Sequence, residues 1–298
     1  MTKYIIALLK VKGIGPNKVL SFFIDNHFDI EKIKNNIRTF IGNENYSMFN
    51  KLLDDAESEL KRNLDLGINC ISLFEKDFPS KLYTNRDPVL YLYYKGNISL
   101  LSKESIAIIG TRTPSDIGEQ DAKLITNKLS ESYVIVSGLA LGIDSIAHQV
   151  CLDNKGKTIA VLPSGLDNIQ PTSNKKLAND ILNNGGCLIS EYSSGTLFNK
   201  FTYAKRDRIQ TYLSNLIVVP EANDKSGTMI AVEKANKEGV TVLKSQNCSN
   251  SKINKSVDAN NIDIKLINEE IKKNLKLNTI KFNKLCIIDE KFEQIGLF

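Results

Sequence analysis

The chain carries only two histidines, His27 and His148, and its five cysteines, at positions 70, 151, 187, 248 and 286, form no close pair. Neither a disulfide framework nor a CxxC metal or redox site is expected from such spacing. A zinc site would need carboxylates that nothing in the pattern supplies, so no metal and no other cofactor is expected. Long apolar runs are missing too: no stretch approaches the roughly 18 uninterrupted residues of a membrane helix. The opening MTKYIIALLKVKG is too short and too soon charged for a secretory signal, which makes the cytoplasm the expected location. Seven Pro and 17 Gly are too few for a mainly disordered chain. Charge of one sign is also in short supply, since 39 Lys and Arg against 34 Asp and Glu leave a net +5. That balance suits a polyanionic partner without implying one, and the placement of the charges decides.

What is present is enough chain, 298 residues, for about two domains and a full hydrophobic core. Residues 1–66 show helix-period patterning around Ile5–Leu9, Val19–Ile24 and Tyr46–Leu66 and predict a small helical domain. Between the first two lies Gly13-Ile14-Gly15-Pro16-Asn17-Lys18. This turn is either a helix-hairpin-helix type of phosphate contact, made by backbone N–H groups at a helix start, or a plain helix-to-helix turn with Pro16 at the first helical position. From Cys70 to Asn97 the runs Ile71–Phe74 and Val89–Tyr94 predict strands whose aromatics serve the core rather than stack on bases.

From Ser105 to Lys244 strand and helix patterns alternate. Short β-rich runs fall at Ile106–Ile109, Val134–Val136, Ile159–Leu162, Leu188–Ile189, Leu216–Val219 and Val240–Leu243, with helical patterns at Ile117–Leu129, Ile143–Leu152, Asn174–Leu182, Arg206–Leu213 and Thr228–Lys237. Apolar strands separated by helices predict an α/β fold, a Rossmann-like doubly wound parallel sheet, because right-handed crossovers place helices on both faces. The expected boundaries are a helical domain at 1–66, a Rossmann-like domain at 67–244 with its motif core at 105–244, and an Asn/Lys-rich tail at 245–298. In that tail residues 245–261 read as a linker, Ile264–Ile271 as a helix, and Leu285–Ile288 as a strand or short helix.

Ligands of such sheets lie beyond the carboxyl ends of the strands. There the sequence places Gly110-Thr111-Arg112, then Ser137-Gly138 with Gly142 ahead of a helix, then Ser164-Gly165, and finally Ser226-Gly227-Thr228. One glycine turn says little, since tight strand-to-helix turns need glycine regardless of ligand. The coincidence of several on one edge predicts a phosphate cradle. Lys200, Lys205, Arg206 and Arg208 outnumber Asp207 in the segment leading into the expected helix at Arg206. Cations there oppose the helix dipole unless an anion relieves them, which suits a phosphodiester backbone met without base readout. Asp144 and His148 stand one helical turn apart, and a structural hydrogen bond is favoured over a general-base pair because no nucleophile accompanies them. Glu191 and Glu221 are expected to bond backbone donors or to face away from the ligand.

The ordered runs IAIIGTRTPSDIG, VIVSGLALGIDSIAHQ, TIAVLPSGLDNIQP, LISEY, KRDRIQTYLSNLIVV and KSGTMIAVEKA resemble the DNA-processing protein A (DprA or Smf) family. The resemblance runs from about Ser105 to Leu243, and the preceding residues fit in outline, with a helical N-terminal domain of the SAM or helix-hairpin-helix kind. It implies a protein that binds single-stranded DNA on its Rossmann-like domain, dimerises, and helps load the RecA recombinase in natural transformation, without catalysis. It also implies that Arg112 of the Gly110-Thr111-Arg112 turn grips a phosphate, that Ser137 and Gly138 hold another, and that Arg206, Asp207 and Arg208 stand in the family's RNR segment. The chain departs from the family where Asp207 replaces the middle Asn, where Tyr203-Ala204 replaces Phe-Pro, and where Pro-Gly is missing around Ser245–Asn247. The tail shows no winged-helix pattern, so a divergent member is expected.

A rival class is enzymatic. Nucleotide N-glycosidic hydrolases resembling lysine decarboxylase share a Gly-Thr near the last helix, in the pattern PGGxGTxxE. The position of their essential Glu is Ala231 here, and Glu233 lies two residues on, about 200° round a helix. A third class, a sensor of a free nucleotide derivative, would use the same cradle.

Overall fold

The computed structural model describes residues 1–83 and 86–283. The chain divides into two compact units, Met1–Tyr93 and Tyr94–Ile280.

The first unit is built on four helices, α1 (Thr2–Leu9), α2 (Pro16–Asp25), α3 (Ile30–Ile41) and α4 (Asn43–Asp65). Strand β1 (Asn69–Ser72), the short helix α5 (Ser80–Tyr83) and the start of β2 (Tyr91–Gly96) follow. Pro16 opens α2 at its first turn, where its fixed φ and missing N–H do no harm. Helix α3 is an element the sequence reading passed over. Its buried stripe is one isoleucine per turn, Ile33, Ile37 and Ile41, diluted by Lys and Asn, and its start is marked by Asp29, whose carboxylate accepts the amides of Glu31 and Lys32. Phe22 stacks on Phe40 with centroids 4.1 Å apart. Tyr93, fully buried, donates to Glu59 at 2.5 Å, and Lys10 reaches the same carboxylate at 2.7 Å. The aromatic run thus contributes to the core, as its apolar neighbours suggest.

The second unit alternates β3 (Ser105–Ile108), α6 (Asp116–Leu129), β4 (Val134–Ser137), α7 (Ile143–Asp153), β5 (Thr158–Val161), α8 (Lys175–Asn183), β6 (Cys187–Ser190), α9 (Lys200–Leu213), β7 (Leu216–Val219), α10 (Thr228–Glu238) and β8 (Val242–Ser245). It closes with β9 (Lys255–Val257) and α11 (Ile264–Asn283). Neighbouring strands run β6-β5-β4-β3-β7-β8-β9, all parallel, with Ile106 opposite both Ile135 and Leu216. This is the doubly wound sheet expected from the alternation. Every residue of β3 to β7 is buried, as both-face coverage demands. Ile106, Ile108, Ile135, Leu216 and Val218 face α6 and α7 in one core; the period-2 alternation sends Ala107, Val136 and Ile217 to the other face. Helix α9 runs against β3, β4 and β5.

Two stretches differ from the sequence reading. Helix α9 starts at Lys200, six residues before the expected Arg206, because Asn199 and Thr202 form a reciprocal capping box. Lys200 is therefore the helix's first residue, while Lys205, Arg206 and Arg208 lie along the helix rather than at its start. Residues 245–261 are more than a linker: β9 pairs with β8 through Leu243 and Lys255, and Cys248, Asn250 and Ile253 are buried. Helix α11 then sets Ile267 and Ile271 into the core shared by α6 and α7. Leu285–Ile288 lies outside the described residues.

Candidate functional site

Reading out from β3, the chain passes through β4, β5 and β6 in one direction and through β7 and β8 in the other. The order reverses between β3 and β7, and loops leaving such a reversal diverge and open a crevice. A cleft of about 390 Å³ lies there. Gly110, Thr111 and Arg112 enter from the end of β3, Asp144 from α7, and Ser226, Gly227 and Thr228 from the start of α10. The remaining wall is one face of α9, with Tyr203, Arg206, Asp207 and Gln210 at the spacing of successive helical turns.

Arg206 organises this wall. Its side chain is buried, with Nε 3.2 Å from Asp207 and Nη1 3.8 Å from Asp144. Its guanidinium lies 5.8 Å from the ring centroid of Tyr203, and the exposed Arg112 lies 5.1 Å from the same ring. One phenol ring thus accompanies two cations, an arrangement its negative faces favour. A Cβ on Gly138 would sit 1.2 Å from Nη1 of Arg206, so this glycine makes room for the guanidinium. Gly142 has φ +73 and would press a Cβ to 2.4 Å from the carbonyl of Thr111, so it holds the β3 and β4 loops together.

Burial raises the pKa of both carboxyls beside Arg206. Desolvation outweighs the opposing pull of the guanidinium at Asp144 and at Asp207, and at Asp207 the neighbouring Asp144 adds to the rise. Asp144 also accepts the amides of Gly138 at 3.1 Å and Ala140 at 3.4 Å. His148 does not pair with it. Thr158 gives its own proton to the carbonyl of Ile135, so at 2.7 Å it accepts from Nδ1 of His148 and ties α7 to β5. Burial first, then Arg206, hold the imidazole pKa down at about 3.

Seven of the residues expected to bind phosphate meet in the cleft, Gly110, Thr111, Arg112, Arg206, Ser226, Gly227 and Thr228, with Asp144 and Asp207 beside them. The others are committed elsewhere. Ser137 is fully buried and donates to the carbonyl of Ile108 at 2.6 Å, while the amide of Gly138 is taken by Asp144. Ser164 is likewise buried, bonded to the carbonyl of Asn168, and the amide of Gly165 goes to Thr196. Arg208 pairs with Glu191 at 2.6 Å, and Lys205 lies 5.8 Å over the ring of Phe201. Glu221 accepts from the amide and hydroxyl of Ser115, so both glutamates have partners within the protein. Tyr203, noted in the sequence only where Tyr203-Ala204 replaces Phe-Pro, and Gln210 are cleft residues the sequence does not assign to the site. The signal was the spacing 203, 206, 207, 210, visible once the helix is started at its Asn199 cap.

A family model described as DNA recombination-mediator protein A matches residues 69–270. The chain belongs to the DNA recombination-mediator protein A family. It is 34% identical over 247 residues to DNA processing protein DprA of Streptococcus pneumoniae, covering 82% of this chain and 86% of that one. With DprA of Bacillus subtilis it shares 37% identity over 179 residues, 59% of this chain and 60% of that one. Among solved structures it is similar to S. pneumoniae DprA, with a TM-score of 0.69 and 31% identity over 82% of this chain and 86% of that one. A Helicobacter pylori DprA, whose structure is described for its single-stranded DNA binding mode, gives a TM-score of 0.55 and 32% identity over 61% of this chain and 85% of that chain. These relatives share the Rossmann-like fold. Among the described residues no helix is long and apolar enough to cross a membrane.

Proposed function

We propose that this chain binds single-stranded DNA in the switch-point cleft of its second unit, as a recombination mediator without catalysis of its own. The observation that carries the reading is the pair of guanidiniums, Arg112 and Arg206, flanking Tyr203 in a cleft that also takes in the start of α10. Two cations and a helix N-terminus suit a phosphodiester, and an exposed Arg112 grips one oxygen pair through parallel N–H bonds. Phe201 and Ile230, 66% and 51% exposed, offer apolar surface on which unpaired bases rest, as duplex bases would not. The single-stranded ligand named for the H. pylori relative supports the same choice. Membership of the family supports, as further parts of this proposal, delivery of the strand to the RecA recombinase and self-association of the chain.

Fluorescence anisotropy with labelled single- and double-stranded oligonucleotides over a salt series tests the reading. Tighter binding of the single strand with weak sequence dependence is expected. If about four phosphates are neutralised, the salt slope is near −3. Equal affinity for duplex, or no binding at low salt, would overturn it.

The enzymatic alternative has one observation in its favour, the two carboxyls Asp144 and Asp207 in the cleft. Against it, the position of the hydrolases' glutamate is the buried Ala231, and Glu233 is exposed. Asp144 is occupied by two amides and Arg206. Incubation with nucleoside monophosphates is expected to release no free base. Release that a cleft substitution abolishes would make the protein a hydrolase.

A further inference from the structure

Gln210 lines the cleft from the last turns of α9, is 2% exposed, and its Nε2 finds no hydrogen-bond partner. A buried amide donor left unpaired costs more than an apolar side chain of similar size would in the same place. The hydroxyl of Ser226, lining the same cleft, is also buried without a partner. Helix α10, whose first turn follows Ser226, has no side-chain cap. Both carboxylates of the cleft lie in ion-pair contact with Arg206, whose own Nε is buried without a hydrogen-bond partner. Donors therefore outnumber free acceptors between α9 and the start of α10, and what completes the set is an oxygen acceptor brought by a ligand.

We infer that Gln210 is a contact residue of the bound strand, donating its side-chain amide to a phosphate oxygen lodged between Arg206 and the N-terminus of α10. This rests on the DNA-binding reading and adds to it a residue and an atom. Phosphate is the source favoured because Gln210 and Ser226 both donate beside the positive end of α10, whose Met229 and Ile230 amides are turned to the carbonyls of Ser226 and Gly227, and a single tetrahedral oxyanion offers acceptors to donors on several sides. A base carbonyl is the other source of the same acceptor chemistry.

The test uses the full chain, a labelled oligothymidylate of about 20 nucleotides, and the variants Gln210→Leu and Gln210→Glu, with Gln210→Met as a second apolar variant should the first fail to fold. Gln210→Leu is expected to weaken binding about tenfold, the worth of one hydrogen bond to a charged group. Its thermal midpoint should stay equal or rise, since an unpaired buried donor has been removed. Gln210→Glu should bind more weakly still, because a carboxylate would face the phosphate. On the same strand with abasic sites the tenfold loss should persist; its disappearance would transfer the contact to a base and overturn the phosphate assignment. If the unmodified chain binds and the apolar variants bind equally well while losing thermal stability, Gln210 is structural and the inference is wrong. Failure of the unmodified chain to bind at all would sink the DNA-binding reading instead.

Discussion

Glycine turns in the two units invite the same phosphate-binding reading in sequence, and the structure uses them differently. In the first unit Gly13 adopts φ +81 with open space where a Cβ would stand, and Lys18 donates to the carbonyl of Gly13 at 2.9 Å. That lysine closes its own turn. In the second unit the space a Cβ on Gly138 would need is filled by the guanidinium of Arg206, which is held by two carboxylates at the floor of a cleft. A glycine required by its dihedral shapes a loop, whereas one required by its neighbour's volume places a functional side chain. Each prediction below widens or breaks that contrast.

The largest effect is expected at Arg206. Arg206→Ala leaves Asp144 and Asp207 buried beside each other without their cation. Breaking such a group by removing one partner costs about 3–5 kcal/mol, and strand binding should be lost with it. Urea unfolding and anisotropy on the same preparation measure both. A variant of unchanged stability that still binds would mean the guanidinium is incidental to the cleft.

Gly138→Ala comes next and separates the two turns directly. The added methyl displaces Arg206, and overpacking of this kind costs about 1–3 kcal/mol; affinity for the strand should fall along with stability. Gly13→Ala strains a left-handed backbone by about 1–2 kcal/mol yet should leave affinity unchanged. Equal losses of affinity in the two variants would erase the distinction.

These variants also mark where sequence and structure part. The strands were legible because β3 to β7 are buried runs bounded by turn residues, and the cleft followed from the ends of those strands. Helix α3 was not, since one isoleucine per turn among Lys and Asn is a faint stripe. Nor was the division of labour among small strand-end residues. Ser137, Ser164 and Gly165 look like Ser226 and Gly227 in sequence, and only packing shows that the first three have their hydrogen bonds taken up within the chain. Part of the α9 wall was hidden by the misplaced helix start: Gln210 shares a face with Arg206 in either case, but Tyr203 joins that face only when the helix runs back to Lys200.

A pH titration probes the second unit through its histidine. His148 is fully buried, and Nδ1 already carries the proton given to Thr158, so charging it means protonating a buried Nε2 that has no partner. Its folded pKa of about 3 lies below the ordinary value of about 6.5. The unfolded chain therefore binds the proton first. The stability this histidine contributes is complete above pH about 6.5 and is lost as the pH falls toward 3, at about 1.4 kcal/mol per unit, or about 2 kcal/mol by pH 5. Asp144 and Asp207, whose values are raised, tilt the other way, since stability falls as pH rises from their unfolded values. The reading is thus the difference in slope between the parent and His148→Gln below pH 6.5. Identical slopes would show that the imidazole charges without penalty.

The smallest effect, and the sharpest test of the contrast, is expected at Lys18. Arg112 is exposed at the end of β3, where the loops converge and Tyr203 already accompanies its guanidinium. A charged, two-pronged contact with a phosphate is worth roughly tenfold or more in affinity, so Arg112→Ala should weaken strand binding by at least that factor. Lys18 is exposed and occupied with the carbonyl of Gly13. Any phosphate it meets must first draw it from that bond, in full solvent, where ion pairs are worth little. Lys18→Ala should therefore cost less than about fivefold. Measured side by side at one salt concentration, with folding checked by circular dichroism, the two variants rank the two turns. If Lys18→Ala proves the more damaging, the helical turn of the first unit is the principal DNA contact, and the cleft between β3 and β7 holds something other than the strand.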